Sequence, residues 1–172
     1  MHNFFTIYYA CIINLYIFEP MKKQKSIDHE LRATWQAVAK MYNEQAVKHD
    51  STMATAFVLL NIDTEKGTPS TALGPLMGME PTSLSRILKN MEDKGAIYRE
   101  KNPEDGRSVI IKLTPYGIEM RTISKGHVYQ FNTKVKEYIT EEELESFFKV
   151  TSIINKLKKK KKVFADLNLK AI

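Results

Sequence analysis

The sequence predicts a mainly α-helical fold carrying a small β-hairpin, a helix-turn-helix followed by a two-stranded wing. Three observations lead there. Apolar residues recur at three-to-four spacing through most of the chain, the mark of amphipathic helices. A short segment ending at Gly78 and a strongly striped one over 80–94 are separated only by a glycine-containing turn. Directly after them, "NPEDGRSVIIKL" (102–113) passes from turn residues into the alternation of a strand.

Taken in order, the elements justify themselves locally. Ile27, Leu31, Trp35, Val38 and Tyr42 form a stripe, and Asp28 with Glu30 favours the positive end of a helix expected to close near His49. A second helix is expected from about Thr52 to Gly67, with Phe57 and Leu60 inward. Thr68-Pro69 reads as the next helix start, with Thr68 as cap and Pro69 at the position where its missing N–H costs nothing. Pro75 inside "PSTALGPLMG" predicts a bent or abbreviated helix. Over 80–94, Leu84, Ile87, Leu88 and Met91 make a narrow apolar stripe, and Gly95 stops the helix. At about 100° per residue, Thr82, Arg86, Lys89 and Asp93 point away from that stripe, with Asn90 beside them. Strands are expected over 96–101 and 108–113. Thr114-Pro115 opens a long helix striped by Met120, Ile123, His127, Phe131, Val135 and Tyr138. Thr140 with Glu143 is a capping box for a last helix, with Leu144, Phe147, Phe148, Thr151 and Ile154 inward, that runs into Lys158–Lys162.

With 172 residues, 43% of them apolar and 27% charged, the chain has the make-up of one folded domain rather than a disordered segment. A net charge of +6 suits an anionic partner, but much of it sits in Lys22, Lys23 and Lys25 and in the terminal lysine run. Between 78 and 117 the cations Arg86, Lys89, Lys94, Arg99, Lys101, Arg107 and Lys112 face nearly as many acids, so bulk charge does not locate a surface. Cys11 is the only cysteine, which leaves no intrachain disulfide and fits a reducing cytoplasm. Residues 4–18 are apolar, but at about 22 Å as a helix they fall short of the roughly 30 Å hydrocarbon core. Residues 1–20 read as an extension upstream of a natural start at Met21, the alternative being a membrane-associating or partner-binding segment.

Enzyme chemistry finds no footing. No HExxH, phosphate loop, GxGxxG or GxSxG motif occurs, and His2, His29, His49 and His127 lack metal-ligand spacing, so no catalytic residue, cofactor or metal is expected. The helix over 80–94 instead carries the hydrogen-bonding side chains Thr82, Ser83, Ser85, Arg86, Lys89 and Asn90, the types a helix needs in the major groove. A solvated helix face would look the same in isolation; the hairpin that follows tips the reading toward DNA. In the hairpin, Gly106 allows a sharp turn and Arg107 stands at the tip, where a guanidinium can enter a narrow minor groove. Asp105, two residues earlier, is placed to hold Arg107 by a charge-assisted hydrogen bond.

"DGRSVIIKLTPYG" (105–117) resembles the D-x-R…L-T-x-x-G wing of multiple-antibiotic-resistance-type (MarR) transcriptional regulators. "SLSRILKNMEDKGAIYR" (83–99) is similar to that family's recognition helix running into its first wing strand. The resemblance implies a homodimer that binds double-stranded DNA as a repressor and whose terminal helices interleave. It implies minor-groove contact by Arg107 supported by Asp105, and relief of DNA binding by a small aromatic or anionic effector. Trp35, Tyr42, His127 and Phe131 are the candidate lining of an effector pocket, although such a stripe also serves as plain core. The expected organisation is a MarR-like domain over 21–160 and a basic tail over 161–172. Within the domain, the winged lobe covers about 52–114 and dimerisation helices cover about 26–49 and 115–160. Pro75, the "MEP" opening of the recognition helix and the apolar segment before Met21 depart from the family pattern. The rival readings are a winged-helix interaction module without DNA affinity and a membrane-associated sensor using residues 4–18.

Overall fold

A computed structural model describes residues 26–103, 105–106 and 108–159. The apolar segment before Met21, Cys11, the basic tail over 161–172 and the wing residue Arg107 lie outside the described residues. The chain divides between Met41 and Tyr42 into two compact units, a division that falls within the first helix, α1 (Ile27–Val47). Asp28 and Glu30 occupy its first turn, and a hydrogen bond from Ser26 holds the Asp28 carboxyl below the usual carboxylate range. Ile27, Leu31 and Trp35 on this helix are exposed.

From Tyr42 onward the elements close around one core. The α1 helix turns off at Lys48–Asp50, and Asn43 Oδ1 accepts the N–H of Met53, the first residue of α2 (Met53–Asn61). Thr52 caps α2 by accepting from the Thr55 N–H. The helix ends at Asn61, short of the expected Gly67, because Asp63 Oδ1 takes the N–H groups of Glu65 and Lys66 at 2.9 and 2.8 Å and folds a tight turn. Val58 and Leu59 are its buried pair, while Phe57 and Leu60, expected inward, are half-buried.

Thr68 and Pro69 are a correction to the sequence reading. They form a two-residue strand, β1 (Thr68–Pro69), and the Thr68 hydroxyl binds the preceding turn, accepting from the Asp63 N–H at 2.9 Å and donating to the Asn61 carbonyl at 3.3 Å. Pro69 is then the N-cap of α3 (Ser70–Met77), an abbreviated helix containing Pro75 in its last turn. Gly78 ends it in the left-handed conformation (φ 62°), and the Met79 N–H returns to the Gly74 carbonyl at 3.0 Å.

Next come α4 (Pro81–Asp93), β2 (Ile97–Lys101) and β3 (Val109–Leu113), then α5 (Pro115–Lys136) and α6 (Glu141–Lys159). The sheet is antiparallel in the order β1-β3-β2, with Thr68 opposite Ile111 and Ile97 opposite Leu113. Leu59, Ile62, Leu73, Met91, Ile97 and Ile111 are almost completely shielded and join α2, α3, α4 and the sheet in one core. Thr114 does cap α5, accepting from the Gly117 N–H at 3.0 Å, and its hydroxyl donates to the Gly95 carbonyl at 2.6 Å. The Thr140–Glu143 capping box forms as expected, with reciprocal bonds of 2.8 and 3.2 Å. Two expectations fail here. Tyr138 lies past the end of α5 and is exposed, and Phe147 and Phe148 are exposed instead of inward.

Candidate nucleic-acid interface

The α4 helix starts without a side-chain cap, with Glu80 at the N-cap and Pro81 in the first turn. Its inner face is fixed by Leu84, Leu88 and Met91, which are 5%, 3% and 1% exposed. That anchoring aims the opposite face outward: Thr82, Ser83, Ser85, Arg86, Lys89 and Asn90 are all exposed. The six candidates for base and phosphate contact therefore share one helix, with the α3–Gly78–α4 turn before it and the hairpin directly after.

Side-chain pairing sorts the cations in a way the sequence alone does not. Arg99 Nε meets Glu92 Oε2 at 3.0 Å and ties β2 to α4. Lys112 Nζ meets Glu100 Oε2 at 2.8 Å across the hairpin, and that hydrogen bond raises the Lys112 ammonium above its usual range. Lys94 is held by Asp50 at 2.7 Å. Among the described residues, Arg86, Lys89 and Lys101 pair with no carboxylate. Lys101 is a candidate that pattern reading missed. Its signal, a cation at the outer end of a wing strand, is visible only once the other cations have been assigned partners.

At the wing, the Ser108 N–H donates to the Asp105 carbonyl at 3.0 Å, and Asn102 Nδ2 donates to Ser108 Oγ at 2.8 Å. These bonds close the base of the tip beside exposed Asp105 and Gly106. Gly117, which closes the resemblance to the wing motif, is buried where a Cβ would sit 1.9 Å from the Ala96 carbonyl oxygen. Only a glycine lets the start of α5 lie this close to the root of the wing.

Of the candidate effector lining, Tyr42 and Phe131 come together, with ring centroids 5.6 Å apart, and Tyr42 also meets Phe57 at 6.4 Å. Burial pushes the Tyr42 phenol above its usual range. His127 faces His49 at 5.8 Å. The gap beside Tyr42 and His127 has a volume of about 20 Å³, room for about one water. Trp35 belongs to the other compact unit and is 52% exposed. Among the described residues no group of three or more His, Cys, Asp or Glu side chains is arranged to hold a metal ion. No described helix is long and apolar enough to cross a membrane.

Comparison with known proteins gives this geometry its context. The profile of the MarR family matches residues 52–109, from the cap of α2 to the first residue of β3. The transcriptional regulator SarZ of Staphylococcus saprophyticus is 30% identical over 115 residues, 64% of this chain and 79% of the relative. SarZ of Staphylococcus haemolyticus is 32% identical over 95 residues, and there the chain spans 65% of the relative's length. In three dimensions the chain is similar to S. aureus MepR in its DNA complex, with a TM-score of 0.71 at 18% identity, over 77% of this chain and 99% of that one. The S. saprophyticus relative, 30% identical and covered over 79% of its length, and the matched profile agree, and the winged architecture is consistent with them: the chain belongs to the MarR family of transcriptional regulators.

Proposed function

We propose that the protein is a cytoplasmic homodimeric repressor that lays α4 in the major groove and its wing along the flanking minor groove. The observation that carries this reading is the outer face of α4. Arg86 and Lys89 stand there without a carboxylate partner, on a helix whose other face is locked into the core. Arg86 reads a base edge, Lys89 meets phosphate, and Thr82, Ser83, Ser85 and Asn90 supply further hydrogen bonds. Arg107 enters the minor groove, oriented by Asp105. Two-fold pairing through the terminal helices is supported by α6, which exposes Phe147, Phe148, Val150, Ile153 and Leu157 and among whose described side chains none is buried. A small aromatic or anionic effector relieves repression.

The test is fluorescence anisotropy on duplexes that the full-length protein selects from a random pool. A selected duplex should bind more tightly than a scrambled one, and affinity should fall steeply as salt rises, because each neutralised phosphate releases counterions. Weak binding that ignores both sequence and salt would overturn the proposal in favour of a protein-interaction role.

A further inference from the structure

The backbone ladder of the wing ends one step short of its tip. Lys101 opposite Val109 is the last pair of β2 and β3, and the same register places Asn102 opposite Ser108. Pro103 comes next, and without an N–H it cannot carry the ladder further. Side chains add the missing rung: Asn102 Nδ2 donates to Ser108 Oγ at 2.8 Å. The Ser108 hydroxyl in turn donates to the Asp105 carbonyl at 3.3 Å, and the Ser108 N–H donates to that same oxygen at 3.0 Å. One hydroxyl thus joins the end of β2 to the turn that enters β3, with its donor and its acceptor both used. Ser108 is 6% exposed, although Asp105 and Gly106 nearby are exposed. A shielded hydroxyl must have its hydrogen bonds met inside the protein, so this arrangement has little freedom to change.

We propose that Asn102 and Ser108 are positioning residues for DNA recognition: their bond holds the wing tip in its DNA-competent conformation before any DNA arrives. The inference rests on the reading of Arg107 as the minor-groove residue, and it gives these two neighbours a task that neither performs by touching DNA. The reason is entropic. Without the rung, residues 102–108 would have to be ordered on the DNA, and affinity would fall with the fraction of time that the tip is competent. The rung is an amide–hydroxyl bond and carries no charge, so salt does not screen it and approaching phosphates do not repel it. It also takes the main-chain carbonyl of Asp105 and not the carboxylate. The clamp therefore does not compete with the carboxylate's proposed role beside Arg107.

The test is a double-mutant cycle in the full-length protein, read by anisotropy on the selected duplex. Ser108→Ala should raise the Kd about fivefold per half-site in the native background, the scale of one net hydrogen bond. In the Arg107→Ala background the same change should move the Kd by less than about twofold, because no guanidinium is left to position. A hydroxyl that only supported the fold would cost the same in both backgrounds. Asn102→Ala, at a half-buried position, should repeat the pattern with a smaller loss. Hydrogen exchange at the Ser108 amide gives a local reading. It should speed up about fivefold in both variants, while the amide of Ile111 in the core keeps its native rate. Equal losses in the two backgrounds, or a Kd unmoved by either Ser108→Ala or Asn102→Ala, overturns the clamp. So does unchanged exchange at Ser108. Arg107→Ala binding as tightly as the native protein would instead overturn the minor-groove reading, and the clamp's part in recognition with it, even where exchange at Ser108 behaves as expected.

Discussion

Arg86 and Lys89 share the exposed face of α4 but are expected to act differently, because a planar five-donor guanidinium and a compact ammonium recognise different things. Arg86→Ala should weaken the selected duplex by about 1–3 kcal/mol per half-site and leave scrambled DNA nearly untouched, the scale of a bidentate contact to guanine. Lys89→Ala should weaken both duplexes alike and lower the salt slope by about one. Anisotropy on the two duplexes separates them, and equal losses in both variants would refute the assignment. The wing offers a second test. Arg107→Lys should not restore the affinity lost in Arg107→Ala, since a narrow groove favours the more weakly hydrated guanidinium. If Asp105 orients Arg107, Asp105→Asn should weaken binding even though it removes a negative charge near phosphate; tighter binding would mean that Asp105 only repels the backbone. What could be read from residues alone was the outward set on α4, because helical periodicity determines which side chains share a face. The pairing of Arg99 with Glu92 and of Lys112 with Glu100 could not be read, because neither pair follows from spacing along a single element.

Among the elements, those governed by relations over a few residues were legible: the Thr114-Pro115 helix start, the Thr140–Glu143 capping box and the glycine stops at Gly78 and Gly95. The β1 strand was not, because a two-residue strand has no periodicity and its partners, Ile110 and Ile111, lie some forty positions away. The premature end of α2 was hidden for a related reason. Asp63 outcompetes the helix by offering its own carboxylate to two backbone N–H groups, and that hydrogen bonding also holds its carboxyl below the usual range. Gly117 shows what a motif position is for once neighbours are known. Gly117→Ala should destabilise the protein by about 1–3 kcal/mol, as overpacking does, because the new methyl would press on the Ala96 backbone and not on a side chain that can swing away. Urea denaturation would measure it, and a change of a few tenths of a kcal/mol would show that the α5–wing junction is looser than its geometry.

At the scale of the whole molecule, the exposed apolar residues of α1 and α6 predict an obligate dimer. Two copies related by a two-fold axis would set their recognition helices about one DNA turn, roughly 34 Å, apart and so require a palindromic site with that half-site spacing. Light scattering at micromolar concentration checks this directly, and a stable folded monomer would sink it. Phe147→Glu with Phe148→Glu should shift the population toward monomer and reduce DNA binding together, since each half-site alone is weak. The small sheet has a further consequence for a protein that must display a bare hairpin to its surroundings. One edge is β1, which ends in Pro69 and so has no second N–H to offer a newcomer. The other edge is β2, where Arg99, Glu100 and Lys101 line up as consecutive exposed charges. A stray strand finds two residues to pair with on one side and a row of charges on the other, which disfavours the recruitment of other chains through the wing.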